Sequence, residues 1–410
     1  MKTPFLLQSP RGMDDRLPSQ EKYWQKIEKV VGELSSHFGF QRIETPVLEY
    51  KEVFAKGVGE QTEIVEHQMF MASRPGDEEA RSLVLRPEYT AGIARAYIQH
   101  GMHTWSQPVM LYYWGPLFRA ERPQKGRFRQ FYQFGWEIFG DNSPMADALI
   151  ILLGWQVLKT LGLDKNLIVD INSLGCELCR GKIKKSLQNF FQQYTNNLCN
   201  FCQGRLGPNP LRILDCKNEK CHKIASAAPV IIDQLCPECK KHFQAVREFL
   251  DELKIPYNLN AHLVRGLDYY TRTVFEIREE KDTAGQASLG GGGRYDNLVA
   301  LYGGPMTPAT GVSLGVERII EKMKQEKINL EEPPSSQVVI IQLGEKAKQK
   351  ALVLLSLLNS LEIPTACILA KESLRSQLKA TDKMGAKFAI IIGQKEAMER
   401  AVILRDMESG

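Results

Sequence analysis

The spacing of apolar residues predicts helices and strands in the first part of the chain. Between residues 19 and 38, apolar side chains recur every three to four positions, which is typical of an amphipathic helix. Ser19 is expected to cap this helix and Gly39 to end it. "FQRIETPVLE" and "VMLYYWGPLF" are expected to be extended, and "ADALIILLGWQVLKTLG" to be helical. The apolar face of the first helix is expected to contain Tyr23, Ile27, Val30, Val31, Leu34 and Phe38.

Strand-like and helix-like segments alternate in the last part of the chain. "VVIIQL", "IPTACIL" and "KFAIIIG" are typical of buried strands, and two helical segments separate them. This alternation predicts a small α/β domain. The apolar run "ALVLLSLL" in its first helix is expected to pack in the core. The charged segment "KQEKINLEEPPSSQ", which precedes the domain and contains two adjacent prolines, indicates a linker.

The middle of the chain differs from both ends. It holds eight of the nine cysteines among lysines, asparagines and amphipathic helical segments, as expected of an inserted module. We therefore expect a core formed by residues 1–163 and 261–325, an insertion at 164–260, a linker at 326–336 and a C-terminal domain at 337–410.

Composition excludes few classes of protein. Of 410 residues, 43% are hydrophobic and 25% are charged, which is ordinary for a globular protein. A net charge of +5 permits a polyanionic partner without requiring one. The longest apolar stretch, "ALIILLGW", is far too short to span a membrane, and the N-terminus lacks the apolar segment of a signal peptide. We therefore expect a cytoplasmic protein without membrane contact, whose cysteines bind metal rather than form disulfides.

One stretch combines arginines with aromatic residues: "LFRAERPQKGRFRQFYQFGWEIFG", residues 117–140. An exposed hairpin with a solvated turn is one interpretation. The other is a nucleotide site, because arginine forks bind phosphate oxygens bidentately and Phe131 can cover an adenine ring. Gln133 and Glu137 are four residues apart in an expected strand and therefore share one face. This second interpretation predicts a triphosphate at one end of a pocket and a cationic or hydrogen-bonding ligand at the other.

Motifs in the same order resemble those of class II aminoacyl-tRNA synthetases. "FRAERPQKGRFRQF" resembles motif 2, "FQRIETPVLE" resembles motif 1 at the dimer interface, and "GVSLGVERI" resembles motif 3. "RPEYTAGIARA", "LVRGLDYYTRTVFE" and the opening "PRGMDDRLP" are similar to segments of the histidyl-tRNA synthetase family. The resemblance covers nearly the whole chain. It implies an α+β class II core, a mostly antiparallel sheet flanked by helices, with a Cys-rich insertion and a C-terminal α/β anticodon-binding domain.

The resemblance also implies a role for each site residue. Arg265 and Arg119 would be catalytic, both on the α-phosphate, with Arg265 also on the substrate carboxylate. ATP would bind Arg119, Glu121, Arg127, Phe131 and Arg318, with Phe131 on the adenine, Glu121 near its edge, and Arg127 and Arg318 facing the γ-phosphate. Histidine would bind through Glu88, Thr90 and Gln133 at its amino group, Glu137 and Tyr270 at its imidazole, and Tyr269 and Tyr295 closing the pocket.

The implied activity is ATP- and Mg²⁺-dependent ligation of L-histidine to tRNA(His) through histidyl-adenylate, in a homodimer. Gln124 and Lys125, in the motif 2 loop, would reach the tRNA acceptor end. Two features depart from the family. Tyr89 replaces a usual glycine beside Glu88 and is expected to reshape the amino-group site, and the C-terminal domain is expected to be one helix shorter than usual.

Two alternatives belong to other classes. One is the regulatory paralogue of ATP phosphoribosyltransferase in histidine biosynthesis, which does not charge tRNA and typically lacks the C-terminal domain and several pocket residues. The other is a plain zinc-dependent RNA-binding protein, which would not need the pocket residues. The complete pocket and the C-terminal domain favour the synthetase.

The cysteine spacing predicts structural zinc. Two residues separate Cys176 from Cys179 and Cys199 from Cys202, and 19 residues separate the two pairs, a spacing typical of tetrahedral zinc sites. At most two ions are expected. The alternatives are a set of reduced, buried thiols or disulfides formed in a stressed cell. The sequence leaves the pairing open, with His222 and His242 as substitute ligands. The candidate ligands are Cys176, Cys179, Cys199, Cys202, Cys216, Cys221, Cys236 and Cys239.

Overall fold

The computed structural model describes residues 7–60, 62–73, 82–124, 126–281, 288–330 and 337–409. The chain forms two compact units, Met1–Ile328 and Asn329–Gly410. None of the helices among the described residues combines the length and apolar character needed to cross a membrane.

An eight-stranded sheet, in the order β1-β5-β6-β11-β10-β9-β7-β8, forms the centre of the first unit. Its six central strands are antiparallel to one another, and the edge strands β1 and β8 pair in parallel with β5 and β7, respectively. A small sheet, β2-β4-β3, lies apart from it. The strands of this unit are β1 (Gln41–Arg42), β2 (Leu48–Tyr50), β3 (Met71–Ala72), β4 (Leu83–Leu85), β5 (Val109–Phe118), β6 (Gln130–Phe139), β7 (Leu167–Ser173), β8 (Tyr257–Leu259), β9 (Thr271–Glu279), β10 (Gly290–Arg294) and β11 (Ala309–Gly315).

Helices surround this sheet, so the expected antiparallel core with flanking helices is confirmed. They are α1 (Glu21–His37), α2 (Lys51–Val58), α3 (Thr90–Gln99), α4 (Pro144–Thr160), α5 (Glu177–Gln192), α6 (Asn200–Arg205), α7 (Glu219–Ala225), α8 (Pro237–Glu252), α9 (Leu298–Leu301) and α10 (Val316–Gln325).

Helix α1 follows its predicted range but differs in detail. Its N-cap is Gln20 after a 3₁₀ turn, Pro18–Gln20, and no side chain caps it, so the prediction for Ser19 is wrong. The buried face includes Trp24, whereas Tyr23 is only half-buried. The indole of Trp136 donates to the hydroxyl of Ser35 at 2.8 Å, which joins α1 to β6.

The glycine run at 290–294 is strand β10, in the interior of the sheet between β9 and β11. A Cβ at Gly292 would lie 1.9 Å from the carbonyl oxygen of Gly311 on the neighbouring strand. The glycines therefore let three strands pack closely under the site described below.

The insertion is largely helical and begins after β7. Its predicted start at residue 164 precedes β7, and that strand pairs with β9 in the central sheet. Helices α5 to α8 follow, with a 3₁₀ turn at Pro210–Ile213 between α6 and α7. Helix α8 packs on the buried helix α4, where the His242 imidazole and the Asp147 carboxylate are 2.8 Å apart.

The second unit contains a four-stranded sheet in the order β13-β12-β14-β15, parallel except for β15. Its helices pack on both faces of this sheet, which forms the small α/β domain that the alternating pattern predicts. In "ALVLLSLL" only Ala351 is buried, and Leu352, Val353 and Leu357 are exposed, so the prediction that the whole run packs in the core is wrong. The elements are β12 (Val338–Gln342), α11 (Glu345–Ser360), β13 (Thr365–Cys367), α12 (Leu374–Lys383), β14 (Phe388–Ile392), α13 (Gln394–Glu399) and β15 (Ile403–Asp406).

Candidate active site

A cavity of about 630 Å³ opens over strands β6, β10 and β11. It brings together residues that are up to 255 positions apart in the sequence, from Glu63 to Arg318, and α3, the β5–β6 hairpin, β9 and α10 all border it. The lining includes every residue predicted to bind histidine or ATP: Glu88, Thr90, Arg119, Glu121, Arg127, Phe131, Gln133, Glu137, Arg265, Tyr269, Tyr270, Tyr295 and Arg318.

Glu137, on β6, is the centre of one end of the cavity. Its Oε1 accepts a hydrogen bond from the Thr90 hydroxyl at 2.7 Å, and its Oε2 accepts one from the Tyr295 hydroxyl. A Cβ at Gly311 would lie 1.7 Å from Oε2, so the carboxylate occupies space that a glycine leaves on the neighbouring strand. Burial raises the pKa of Glu137 to about 8, despite these two hydrogen bonds.

Glu88 lies beside Glu137 at the start of α3. Its two carboxylate oxygens accept hydrogen bonds from the backbone amides of Thr90 and Ala91, each at 2.8 Å, and so satisfy two amides of the first turn of the helix. Burial raises the pKa of Glu88 to about 7 in spite of these amides. The positive charge of Arg119 also lowers the pKa of Glu88 but does not outweigh burial. Two buried carboxylates with raised pKa values favour a cationic ligand, because a cation would stabilise both ionised forms.

Tyr89 points away from this pair. Its ring stacks on Tyr113 with centroids 4.2 Å apart, and its hydroxyl accepts a hydrogen bond from the buried guanidinium of Arg86. Burial raises the pKa of Tyr89 to about 12. The ring borders the cavity but contributes no hydrogen-bonding group to it, since the hydroxyl is engaged with Arg86.

Arginines dominate the other end of the cavity. Arg119 Nε donates to the carbonyl of Pro87 at 3.0 Å, and its guanidinium lies 5.2 Å from the ring centroid of Phe131. Arg265 forms an ion pair with Glu276, and its buried Nε has no hydrogen-bond partner among the described residues. A Cβ at Gly291 would lie 2.8 Å from Arg265 Nη1, so a glycine makes room for this arginine as well.

Arg318, on α10, holds the turn of the β5–β6 hairpin. Its Nε donates to the carbonyl of Gly126 at 3.1 Å, and the nearby Arg127 lies 3.4 Å from Glu121. Burial lowers the pKa of Arg318, and the positive charge of Arg127 lowers it further. Clustered, partly desolvated guanidinium groups favour a polyanionic ligand.

Of the two residues predicted to contact tRNA, Gln124 lies outside this lining. Gln124 is exposed in the hairpin turn, where its amide and carbonyl pair with those of Arg127. Lys125 lies outside the described residues. Their roles stay predictions.

Sequence reasoning missed a group of cavity residues that the insertion supplies. Arg205, Arg212, Asp215 and Lys217 line the cavity from the segment between Cys202 and Cys221. The stretch "NPLRILDCK" carries three of them and has the mixture of charge and fixed turns expected of a functional loop. Only the folded insertion brings that loop over the central sheet. Glu276, which lies on β9 and pairs with Arg265, was also missed.

The eight cysteines of the insertion form two separate groups of four. One contains Cys176, Cys179, Cys236 and Cys239, and the other contains Cys199, Cys202, Cys216 and Cys221. All are free thiols, and within each group the sulfur atoms lie within 4.8 Å of one another. Each group could therefore hold a metal ion, and neither His222 nor His242 belongs to a group.

The cavity thus has two chemically different ends. Carboxylates at one end suit an ammonium or imidazole, and arginines at the other suit a carboxylate and phosphates. An amino acid and a nucleoside triphosphate could be held side by side across the sheet. This is the arrangement that an activation reaction between them requires.

Comparison with known proteins supports this chemistry. A family model described as histidyl-tRNA synthetase matches residues 12–319, and one described as an anticodon binding domain matches residues 337–410. The histidine--tRNA ligase of Desulforamulus reducens is 44% identical over 406 residues, which is 99% of this chain and 96% of that protein. The corresponding ligase of Desulforudis audaxviator is 45% identical over 406 residues, covering 99% and 95%.

A solved structure agrees with these relatives. The apo histidyl-tRNA synthetase of S. aureus superposes with a TM-score of 0.81 at 34% identity, covering 99% of this chain and 96% of that one. These full-length relatives favour tRNA charging over the regulatory alternative. The chain belongs to the histidyl-tRNA synthetase family.

Proposed function

We propose that this chain catalyses the ATP-dependent ligation of L-histidine to tRNA(His) through a histidyl-adenylate intermediate. The observation that carries the proposal is the juxtaposition, in one cavity, of the buried carboxylates Glu88 and Glu137 with the arginines Arg119 and Arg265. The identity with histidine--tRNA ligases over the whole chain supports it.

Histidine binds at the carboxylate end in this proposal. Its ammonium group contacts Glu88, Thr90 and Gln133. Its imidazole, with one nitrogen donor and one acceptor in the neutral form, contacts Glu137 and Tyr270. Tyr269 and Tyr295 exclude water, which strengthens each polar contact. A pocket built around hydrogen bonds rejects amino acids that lack the imidazole nitrogens by large factors.

ATP binds at the arginine end. Its adenine stacks on Phe131, near Glu121, and its γ-phosphate faces Arg127 and Arg318. Arg119 and Arg265 contact the α-phosphate, and Arg265 also contacts the carboxylate of histidine. The unpartnered Nε of Arg265 supports this assignment, since a buried donor without an acceptor is costly and a substrate oxygen would satisfy it.

The activation step needs no covalent enzyme intermediate. A carboxylate oxygen of histidine attacks the α-phosphorus of ATP, the new oxygen–phosphorus bond forms, and the bond to the leaving pyrophosphate breaks. Charge grows on the α-phosphate oxygens and on the pyrophosphate, and the arginines are positioned to stabilise it. The two guanidinium groups also bring the reactants together.

Mg²⁺ is part of the proposal as the ion that accompanies ATP. It prefers one or two carboxylates together with phosphate oxygens, and Glu121 and Glu276 line the cavity near the arginines. The ion would neutralise charge on the triphosphate. Structural zinc in the insertion, a homodimer and a cytoplasmic location belong to the proposal as well. So do contact of the tRNA acceptor end with Gln124 and Lys125 and binding of the anticodon by the C-terminal unit.

Histidine-dependent exchange of labelled pyrophosphate into ATP tests the activation step, with the other amino acids as controls. We expect exchange with histidine alone and its loss in Arg265→Ala. A folded protein that shows no exchange in the presence of Mg²⁺ would contradict the proposal. Charging of tRNA(His), measured as acid-precipitable histidine, then tests the transfer step.

A further inference from the structure

The two cysteine groups are nested along the chain. The outer group joins the first cysteine pair of the insertion, Cys176 and Cys179, to the last, Cys236 and Cys239. The inner group consists of Cys199, Cys202, Cys216 and Cys221. The inner group therefore closes a loop that lies inside the loop closed by the outer group.

The sulfur distances match a shared metal ion. Four thiolates at about 2.3 Å from one zinc ion lie about 3.8 Å apart at the corners of a tetrahedron, whereas a disulfide holds two sulfurs about 2.05 Å apart. Cys176 and Cys179 are 3.8 Å apart and Cys176 and Cys236 are 3.9 Å apart. In the inner group, Cys199 and Cys216 are 3.9 Å apart.

Backbone amides already face two of these sulfurs. The amide of Cys236 donates to Cys179 Sγ at 3.1 Å, and the amide of Cys199 donates to Cys221 Sγ at 3.2 Å. Such hydrogen bonds stabilise negative charge on metal-bound thiolates. In the outer group, Cys176 and Cys236 are also the N-caps of the long helices α5 and α8, whose N-terminal ends favour anions.

The inner group is connected to the catalytic cavity. Between Cys202 and Cys216 the chain carries Asn209 and Arg212, and both donate to the Asp268 carboxylate. The Arg212 Nη2 to Asp268 Oδ1 distance is 2.8 Å. Arg212 is buried, and Cys216 itself lines the cavity.

Asp268 lies in the segment that carries the predicted substrate contacts. Arg265 precedes it by three positions, and Tyr269 and Tyr270 follow directly. The carbonyl of Asp268 also accepts from Arg180, on α5, at 3.1 Å. The outer and inner parts of the insertion thus both hold this one residue.

We infer that the insertion binds two zinc ions, one in each nested tetrathiolate site. The inner ion orders the loop that fixes Asp268, and through it the segment with Arg265, Tyr269 and Tyr270. The inner zinc is thus a structural part of the wall of the catalytic cavity, although it touches no substrate. The inference deepens the proposed function, on which its activity measurement rests.

The number and pairing of the ions can be tested without an activity assay. Metal analysis of the protein purified under reducing conditions should find two zinc ions per chain, and cobalt substitution should give tetrahedral thiolate spectra. Fewer than two metal ions in the wild-type protein would overturn the inference, whatever the variants do. Cys367→Ser, in the other unit, is the matched control and should retain both ions.

Combined variants distinguish nested from sequential pairing. Replacing Cys176, Cys179, Cys236 and Cys239 by serine leaves the inner site whole, so one cobalt site should remain. Replacing Cys176, Cys179, Cys199 and Cys202 by serine breaks both nested sites, and cobalt absorption should be lost. The reverse pattern would overturn the nesting.

The link to catalysis is tested with Cys199→Ser/Cys202→Ser, Cys367→Ser and wild type. We expect the inner-site variant to lose one zinc and to raise the KM for histidine or lower kcat in pyrophosphate exchange by about tenfold or more, as small displacements of binding residues do. Circular dichroism should show retained helices. Unchanged kinetics after loss of the inner zinc would overturn the link. Absence of exchange in the zinc-loaded wild type would count against the proposed function instead.

Discussion

The hydroxyl of Tyr89 fills the space above Gly115: a Cβ added at Gly115 would lie 2.1 Å from the hydroxyl oxygen. The hydroxyl is held there by the guanidinium of Arg86, which also donates to the carbonyls of Thr45 and Pro116. Tyr89 stands at the position where the resemblance described above implies a glycine. The side chain of Tyr89 occupies the space beside Gly115 on β5. It therefore does not block the end of the cavity where Glu88 and Thr90 lie.

This relationship predicts that Gly115→Ala is destabilising. The added methyl group forces Tyr89 or Arg86 out of position, and overpacking of this kind costs about 1–3 kcal/mol. Tyr89→Phe removes the clashing oxygen, so the double variant should lose less stability than the sum of the single variants. Chemical denaturation of the four proteins measures the coupling. Strictly additive effects would mean that the two side chains do not compete for this space.

The family resemblance, more than any local pattern, led us to expect these residues together, and they line one cavity, while their roles stay predictions. Arg119, Phe131 and Glu137 all lie on the β5–β6 hairpin, where alternation alone assigns side chains to faces. The direction of Tyr89 could not be predicted in this way, since it depends on the absence of a side chain at Gly115 on another strand. The contribution of Arg212 depends on the folded insertion and was missed for a similar reason.

Helix patterns were predicted less accurately than strand patterns. In α1, Trp24 is buried where Tyr23 was expected, a shift of one position around the helix. In α11, an apolar run of eight residues extends around the helix, so only Ala351 is fully buried, while Leu354, Leu355 and Leu358 pack half-buried against the core. The pairing of the cysteines also depends on tertiary structure, because the N-terminal ends of α5 and α8 must meet before Cys176 can approach Cys236.

The efficiency of histidine activation should rise with pH. Glu88 and Glu137 have pKa values raised by burial to about 7 and about 8, so both are partly protonated at neutral pH in the free enzyme. The ammonium and imidazole of the substrate require the ionised forms. We therefore expect kcat/KM for histidine in pyrophosphate exchange to increase from pH 6 to pH 8.5, because kcat/KM reports groups of the free enzyme.

Two variants test the assignment of this pH dependence. Glu137→Gln should lower kcat/KM and remove the part of the profile near pH 8, while Arg127→Lys should lower ATP affinity and leave the profile for histidine unchanged. The imidazole of the substrate titrates at about pH 6.5. A wild-type profile that is flat above that pH would therefore show that ionisation of the two carboxylates does not control kcat/KM.

Arg265→Lys should impair catalysis more than binding. Lysine retains the charge but cannot contact a carboxylate and a phosphate through a planar fork, and it cannot keep the geometry that Glu276 and Gly291 now support. Loss of one donor to developing charge costs about 10²–10³ in kcat. Steady-state exchange kinetics should show this loss with a smaller change in the KM for ATP. Arg122→Lys, at an exposed position of the same hairpin, is the control and should behave as wild type.

The stability of the core should depend on Asp147. Its carboxylate lies 2.8 Å from the fully buried Arg294 and 2.8 Å from His242, so it joins β10 and α8 to α4. Asp147→Asn would leave the Arg294 guanidinium without its closest buried counter-charge, and breaking one partner of a buried pair costs about 3–5 kcal/mol. Asp296, 3.1 Å from Arg294, remains as a second partner, so the lower end of that range is expected. The midpoint of urea denaturation measures this loss of stability. Glu33→Gln is the control, because the exposed pair of Glu33 with Lys29 contributes about 0.5 kcal/mol or less. Equal effects of the two substitutions would show that the three-way contact does not stabilise the core.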